Sequence, residues 1–99
     1  MSWYFIVDTY IDKEKGRGEY DDYILQVKPI VEKYNGKYLA RSENIISLSQ
    51  KRNPKRVIII EFKTKEDLEQ CFSSVEYKAI MSKRISSVDS RAIIVEGLK

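Results

Sequence analysis

Arg84 is the residue whose place in the sequence most directly predicts a site. It shares a helical repeat with Tyr77, Met81 and Val88, so a helical wheel puts its guanidinium inside the apolar stripe. A buried guanidinium needs partners, because breaking a buried ion pair costs on the order of 3–5 kcal/mol. Two interpretations stay open: a contact that ties this helix to a sheet, or an anion-binding arginine at the mouth of a pocket.

Three further charges stand in or beside apolar strands. Arg41 ends a short strand, Glu61 comes late in the run VIIIEF, and Asp8 interrupts the run WYFIVDTY. These are the natural companions of Arg84 in a ligand-binding site, and Asp8 or Glu61 could serve as a general base. The alternative for Asp8 is a strand-end residue that reaches water or pairs with Arg84 or Arg41.

Aromatic hydroxyls form the other candidate chemistry, since the chain has 7 tyrosines. Most should belong to the core, with a polar tip at its rim. Tyr23 and Tyr77 lie on predicted helix stripes, where either hydroxyl could bind a ligand oxygen. Cys71 is expected to be a small buried hydrophobe rather than a reactive thiol, because no basic neighbour is evident.

The composition excludes several classes of site. The chain of 99 residues has no histidine and 1 cysteine, which removes Ser–His–Asp and Cys–His nucleophiles and a cysteine–histidine metal cluster. We therefore expect neither a metal nor a cofactor. Hydrophobic residues are 42% and charged residues 33%, which is typical of one ordered domain spanning residues 1–99.

The net charge of +3 is too small to indicate nucleic-acid binding by itself. The densest basic stretch, KRNPKR at residues 51–56, has no interleaved aromatic residue, so we expect a solvated loop and no nucleic-acid partner. The first residues, MSWYFIVDTYID, resemble a strand rather than a signal peptide, and no apolar run is long enough to span a membrane. We expect a cytoplasmic protein.

Apolar periodicity predicts the elements that must position these residues. Glu19–Asn35 repeats apolar residues at helical spacing, although Pro29 inside it should kink or split the helix. Thr64 should cap a short helix, and Ser73 with Glu76 should open another. The predicted strands are Trp3–Ile11, Lys37–Arg41, a short piece Asn44–Ser49, Val57–Phe62 and Arg91–Glu96.

This order, β-α-β-β-α-β, predicts an α+β ferredoxin-like plait, an antiparallel sheet with helices on one face. The predicted strands are apolar on both faces, whereas a sheet with one wet face should alternate. The helices of so short a chain can cover only one face. A second copy packed sheet against sheet is the simplest cover for the other face, which predicts a homodimeric α+β barrel.

The sequence resembles the domain-of-unknown-function family 1330, within the dimeric α+β barrel superfamily. The resemblance spans nearly the whole chain and rests on Tyr23, Arg84 and the runs VKPIVEKYNGKYLAR, RVIIIEF, FSSVEY and VEG. It implies the plait, the dimer and a bacterial cytosolic setting, but no reaction. Superfamily relatives include cofactor-free monooxygenases, isomerases and haem-degrading enzymes, so an enzyme follows only by analogy of fold.

Two functions therefore remain open. The first is a non-enzymatic homodimer that binds a small ligand in a cleft near the sheet. The second is a cofactor-free enzyme, an isomerase or oxygenase that acts on a small organic acid.

Overall fold

A four-stranded antiparallel sheet forms the centre of the computed structural model, which describes residues 1–98. In chain order the elements are β1 (Trp3–Tyr10), α1 (Tyr20–Lys33), β2 (Lys37–Ser42), β3 (Arg56–Phe62), α2 (Lys65–Ser73), α3 (Val75–Ile85) and β4 (Asp89–Glu96). The strands lie in the order β2-β3-β1-β4, with the helices on one face. This is the α+β ferredoxin-like arrangement that the sequence predicts.

Helix α1 runs unbroken through Pro29, so of the two predicted alternatives, a kink or a split, the split is wrong. A proline at this position removes one backbone hydrogen bond, to the carbonyl group of Leu25. Leu25 is 76% exposed, so water can satisfy that carbonyl, and the packed stripe keeps the helix continuous. The buried stripe consists of Tyr20, Tyr23, Ile24, Val27 and Val31.

The turn after α1 explains the Asn-Gly pair. Asn35 has φ 68°, the left-handed conformation that commonly ends a helix. Gly36 follows, and a Cβ atom there would lie 2.9 Å from the ring of the fully buried Phe62. The turn therefore brings the chain closely over the core before β2 begins.

Helices α2 and α3 are separated by the single residue Ser74. As predicted, Thr64 caps α2, accepting a hydrogen bond of 3.0 Å from the Asp67 amide. The cap of α3 is Ser74, which accepts from the Tyr77 amide at 3.1 Å, and not Ser73. Ser73 is still the last residue of α2, and its hydroxyl donates to the Glu69 carbonyl, so the predicted cap lay one residue early.

The predicted strand Asn44–Ser49 is wrong. The connection from β2 to β3 is irregular here, with one isolated bridge between Ser49 and Arg52. The Ser47 hydroxyl donates to the Ser49 carbonyl at 3.0 Å, which favours a turn over an extended strand. Ile46 and Leu48, whose spacing indicated a strand, are 87% and 96% exposed.

The residues of β1 alternate between the two faces of the sheet. Phe5, Val7 and Thr9 face the helices, and their neighbours in β3 and β4 share that face. The opposite face, which we call the open face, carries Tyr4, Ile6, Asp8, Tyr10, Val57, Ile59, Glu61, Ile93 and Val95. Both faces are largely apolar, as predicted.

Strand β4 forms one edge of the sheet and is poorly covered on either side. Ile93 and Val95 on the open face are 60% and 42% exposed, and Ile94 on the helix face is 50% exposed. Unpaired apolar edges of this kind are rare in monomers, because they invite pairing with another chain.

Within residues 1–98, no helix combines the length and the apolarity needed to cross a membrane.

Candidate functional site

A cavity of about 290 Å³ lies between the sheet and helices α1 and α3. Its sheet side includes Phe5, Val7 and Ile60, and its helix side includes Val27 and Met81. These walls come from the same alternation and helical spacing that build the core. The volume falls near the lower end of the range for small-molecule sites, and an apolar lining with a few polar groups is typical of them.

Two tyrosine hydroxyls join the helices over this cavity. The oxygens of Tyr23 on α1 and Tyr77 on α3 are 3.1 Å apart, and both residues are at least 94% buried. Burial raises the pKa of the Tyr23 phenol, and Tyr77 adds to that rise while Arg84 partly offsets it. Tyr23 is therefore a neutral hydroxyl that can donate or accept a hydrogen bond, and it is not a base.

Arg84 also lines the cavity, from the last turn of α3. Its guanidinium carbon lies 5.9 Å from the centre of the Tyr23 ring. Burial opposes its charge, but the Tyr77 and Tyr23 hydroxyls outweigh burial and raise the pKa of Arg84. None of the ion pairs formed within residues 1–98 includes Arg84, so its charge is not matched by a carboxylate there.

A second polar group lies where β1 and β4 pair. The Tyr20 hydroxyl donates to Thr9 Oγ1 at 3.4 Å, and Thr9 is the strand partner of Ser90. Ser90 Oγ is buried and has no hydrogen-bond partner in the part of the chain that the structure describes. All three side chains line the cavity. The cavity can therefore offer hydroxyl groups to a ligand in addition to the cation.

The structure brings together Arg84, Tyr23 and Tyr77, three of the six residues predicted for the site. Asp8 and Glu61 lie on the open face, on the other side of the sheet, and do not line the cavity. The sequence interpretation placed them with Arg84 because strand periodicity does not show which of two apolar faces the helices cover.

Asp8 has a partner that the sequence did not indicate. It is 9% exposed and accepts two hydrogen bonds from Arg52, at 2.6 Å from Nε and 3.0 Å from Nη2. It therefore pairs with the basic loop instead of Arg84 or Arg41. Glu61 accepts from the Tyr4 hydroxyl at 3.3 Å. Both carboxylates have structural partners on the open face.

Arg41 is exposed and lies outside the cavity. Its guanidinium carbon is 5.3 Å from the centre of the Tyr38 ring, so it packs on the outside of a residue that lines the cavity. Burial raises the pKa of Tyr38 to about 12, and Arg41 partly offsets this, so Tyr38 is also a neutral hydroxyl.

Sequence reasoning missed four polar lining residues, Thr9, Tyr20, Tyr38 and Ser90. Strand alternation puts Thr9 on the same side of β1 as Phe5, and the apolar repeat of α1 includes Tyr20, so the sequence carries a signal for both. No sequence signal marks Ser90, because a serine near the start of a strand has no distinctive pattern.

Cys71 is fully buried outside the cavity lining. Burial raises the pKa of its thiol to about 12. It is the small buried hydrophobe that the sequence predicts. Among residues 1–98, no group of three or more histidine, cysteine, aspartate or glutamate residues is placed to hold a metal ion.

Solved structures share this fold at low sequence identity. A protein of unknown function from Rhodopseudomonas palustris aligns with a TM-score of 0.81 and 18% identity, over 99% of this chain and 83% of that one. A dimeric ferredoxin-like protein of unknown function from Jannaschia sp. CCS1 has a TM-score of 0.65 and 14% identity, with coverages of 98% and 100%. At such identities the likeness shows the fold alone.

A third structure belongs to a variant of SnoaB, a cofactor-independent oxygenase from Streptomyces nogalater. It aligns with a TM-score of 0.70 and 6% identity, over 99% of this chain and 94% of that one. Among curated proteins, none matches the chain significantly. The sequence model described as "Domain of unknown function (DUF1330)" matches residues 2–98. The chain therefore belongs to the DUF1330 family.

Proposed function

We propose that this protein is a homodimeric binding protein that holds a small ligand in the cavity between the sheet and helices α1 and α3. The observation that carries the proposal is the cavity itself, about 290 Å³ in volume and lined mostly by apolar side chains. Well-packed interiors leave few voids larger than a water molecule. A space of this size under the helices therefore supports a ligand site.

The polar groups of the cavity favour binding over chemistry. Burial keeps the Tyr23 and Tyr38 phenols protonated, and the carboxylates of Asp8 and Glu61 lie on the open face. Neutral hydroxyls and a guanidinium orient a bound molecule by hydrogen bonds, but they do not remove a proton from it at neutral pH.

Filling the cavity tests the proposal. Ala92 lines the cavity from the edge strand and is itself exposed, so Ala92→Phe can occupy the space without overpacking the core. The neutral probe 3-phenylpropan-1-ol should bind the unaltered protein, in calorimetry, and lose that binding in Ala92→Phe. Ala79→Phe adds the same ring on the exposed side of α3 and should bind as the unaltered protein does. Equal binding by all three proteins would contradict the proposal.

The second copy is assigned to the open face. Ile6, Ile59, Ile93 and Val95 form an apolar surface there that the helices do not cover. Such a surface is larger than monomers usually tolerate. The Jannaschia relative is dimeric, which supports the same assembly. Because the open face lies across the sheet from the cavity, each copy would keep its own ligand site.

Sedimentation equilibrium tests the dimer. We expect twice the chain mass at micromolar concentration, and the mass of one chain for Ile59→Lys, whose added charge would lie in the interface. Leu25→Lys is the matched control, because Leu25 is 76% exposed on the helical side. A monomeric unaltered protein would overturn the assignment.

A cofactor-free oxygenase is the second candidate. The likeness of fold to SnoaB favours it, together with a cavity that could seclude a small aromatic substrate from water. Oxygen chemistry without a cofactor needs an electron-rich substrate, so the test is oxygen uptake with a hydroquinone. Protein-dependent uptake that is lost in Ala92→Phe would support this candidate, and uptake no faster than in buffer would reject it for that substrate class.

A further inference from the structure

We propose, building on the proposed ligand cavity, that its ligand is a small organic anion with one acidic group on an apolar body. The acidic group would lie against Arg84, and the apolar body would extend along β1 toward Phe5. Polar and apolar groups are separated along the cavity, and this distribution matches such a ligand.

The cavity lining changes from apolar to polar along β1. At one end, Phe5 stacks on Phe72 with ring centres 4.3 Å apart, and its strand partner is Ile60. Thr9 lies four residues along the strand, about 13 Å away at roughly 3.3 Å per residue. Its Oγ1 accepts from the Tyr20 hydroxyl, and its partner on β4 is Ser90. The cavity therefore has an apolar end and a polar end.

The Arg84 guanidinium belongs to the polar end. Its carbon lies 5.9 Å from the centre of the Tyr23 ring, which stacks on Tyr20 at 6.1 Å, and the Tyr20 hydroxyl is the one that donates to Thr9. A short turn joins α3 to β4, and the Val88 amide donates to the Arg84 carbonyl at 3.1 Å, so this end of α3 lies beside the start of β4. Ser90 is there, with its buried Oγ unpartnered among the described residues. Arg84, whose charge no carboxylate matches within residues 1–98, and Ser90 therefore come from adjoining segments of the chain.

The charge at this end selects a monoanion. The Arg84 guanidinium lines the cavity and has no carboxylate partner within residues 1–98. A carboxylate would match its planar donors, and Ser90 Oγ could donate a further hydrogen bond. The lining near Phe5 is apolar, so a second charge on the ligand would be buried there without a partner. Burying an unpaired ion costs binding free energy. A carboxylic acid on an aromatic or short aliphatic body fits both ends.

Calorimetry on the intact protein with two matched probes tests this assignment. The probes are 3-phenylpropanoate and its neutral analogue 3-phenylpropan-1-ol, at neutral pH. The acid should bind about tenfold more tightly than the alcohol, as expected for one charge-assisted interaction. In Arg84→Met the affinity for the acid should fall to that for the alcohol, while the affinity for the alcohol should stay unchanged. Arg84→Lys should restore part of the preference.

Lys78→Met is the control, because Lys78 is an exposed cation on the same helix and its loss changes the net charge equally. It should keep the preference for the acid. Equal binding of acid and alcohol by the unaltered protein would overturn the anion assignment and leave the ligand cavity intact. Binding of neither probe would contradict the proposed function as well. If Arg84→Met fails to fold, as judged by circular dichroism, the acid–alcohol comparison and Arg84→Lys still decide.

Discussion

The hydroxyl oxygens of Tyr23 and Tyr77 lie 3.1 Å apart and join helices α1 and α3 over the cavity. The two rings meet edge to face, with centres 6.3 Å apart. Ion pairs flank them along the same helix pair, with Lys83 beside Asp22 toward one end and Lys33 2.5 Å from Glu76 toward the other. The tyrosine contact is the buried part of this helix–helix connection.

Removing either hydroxyl should destabilise the protein. Tyr23→Phe or Tyr77→Phe leaves a buried hydroxyl without its tyrosine partner, and each should lower the free energy of unfolding by about 1–2 kcal/mol. The double variant should lose less than the sum of the two, because no orphan remains. Urea unfolding at one protein concentration measures this. Additive losses would mean that the two hydroxyls do not interact.

Alanine substitutions at Ser90 and Ser74 should differ in their effect on the free energy of unfolding. Ser74 Oγ accepts from the Tyr77 amide at 3.1 Å as the cap of α3, so Ser74→Ala should cost about 1 kcal/mol of unfolding free energy. Ser90 Oγ is buried without a partner among residues 1–98, so Ser90→Ala should leave that free energy unchanged or raise it. Urea unfolding measures both, and a loss for Ser90→Ala as large as that for Ser74→Ala would show a hydrogen bond to Ser90.

Cys71 should make stability fall in alkali. The unfolded thiol has a pKa of about 8.5, and burial raises that of the folded thiol to about 12. Its contribution is fully present below the unfolded pKa and is lost as the pH rises toward 12, because only the unfolded chain releases the proton readily. In Cys71→Ala the free energy of unfolding should fall less steeply with pH, by up to ~1.4 kcal/mol per pH unit. Urea unfolding between about pH 8 and 11 measures it, and identical slopes would contradict burial of the thiol.

The ion pair of Asp8 with Arg52 should hold the loop between β2 and β3 against the open face. Asp8→Asn removes the charge that accepts from Arg52 Nε at 2.6 Å, so trypsin should cleave after Lys51 or Arg52 several-fold faster. Glu66→Gln makes the same charge change at an exposed position and is the control. Equal cleavage of the unaltered protein and Asp8→Asn would show that other contacts hold the loop.

Most of the fold could be predicted from the sequence because its signals are local. The repeat of apolar residues in α1 and the alternation in β1 each follow from the period of one element. The prediction failed where tertiary contacts decide the local structure. Ile46 and Leu48 have strand-like spacing, but they have no strand neighbour in the described chain. Pro29 destabilises α1 little, because the helical turn that loses a backbone hydrogen bond is exposed.

The candidate site divides in the same way. Arg84, Tyr23 and Tyr77 could be predicted, because a helical repeat puts them on the stripe that faces the sheet. Asp8 and Glu61 lie across the sheet from them, which the sequence cannot show because an apolar strand gives no sign of which face the helices will cover. Ser90 acquires its interest only from tertiary structure, as a buried hydroxyl without a partner in the described chain.

Locating a bound probe decides whether the cavity between the sheet and the helices is the ligand site. With the methyl groups of isoleucine, valine and alanine labelled, 3-phenylpropan-1-ol should show intermolecular nuclear Overhauser effects to Val27, Ile60 and Ala92, which line the cavity. Effects to Ile6, Ile59 and Ile93 on the open face, with none to the cavity methyl groups, would contradict the account.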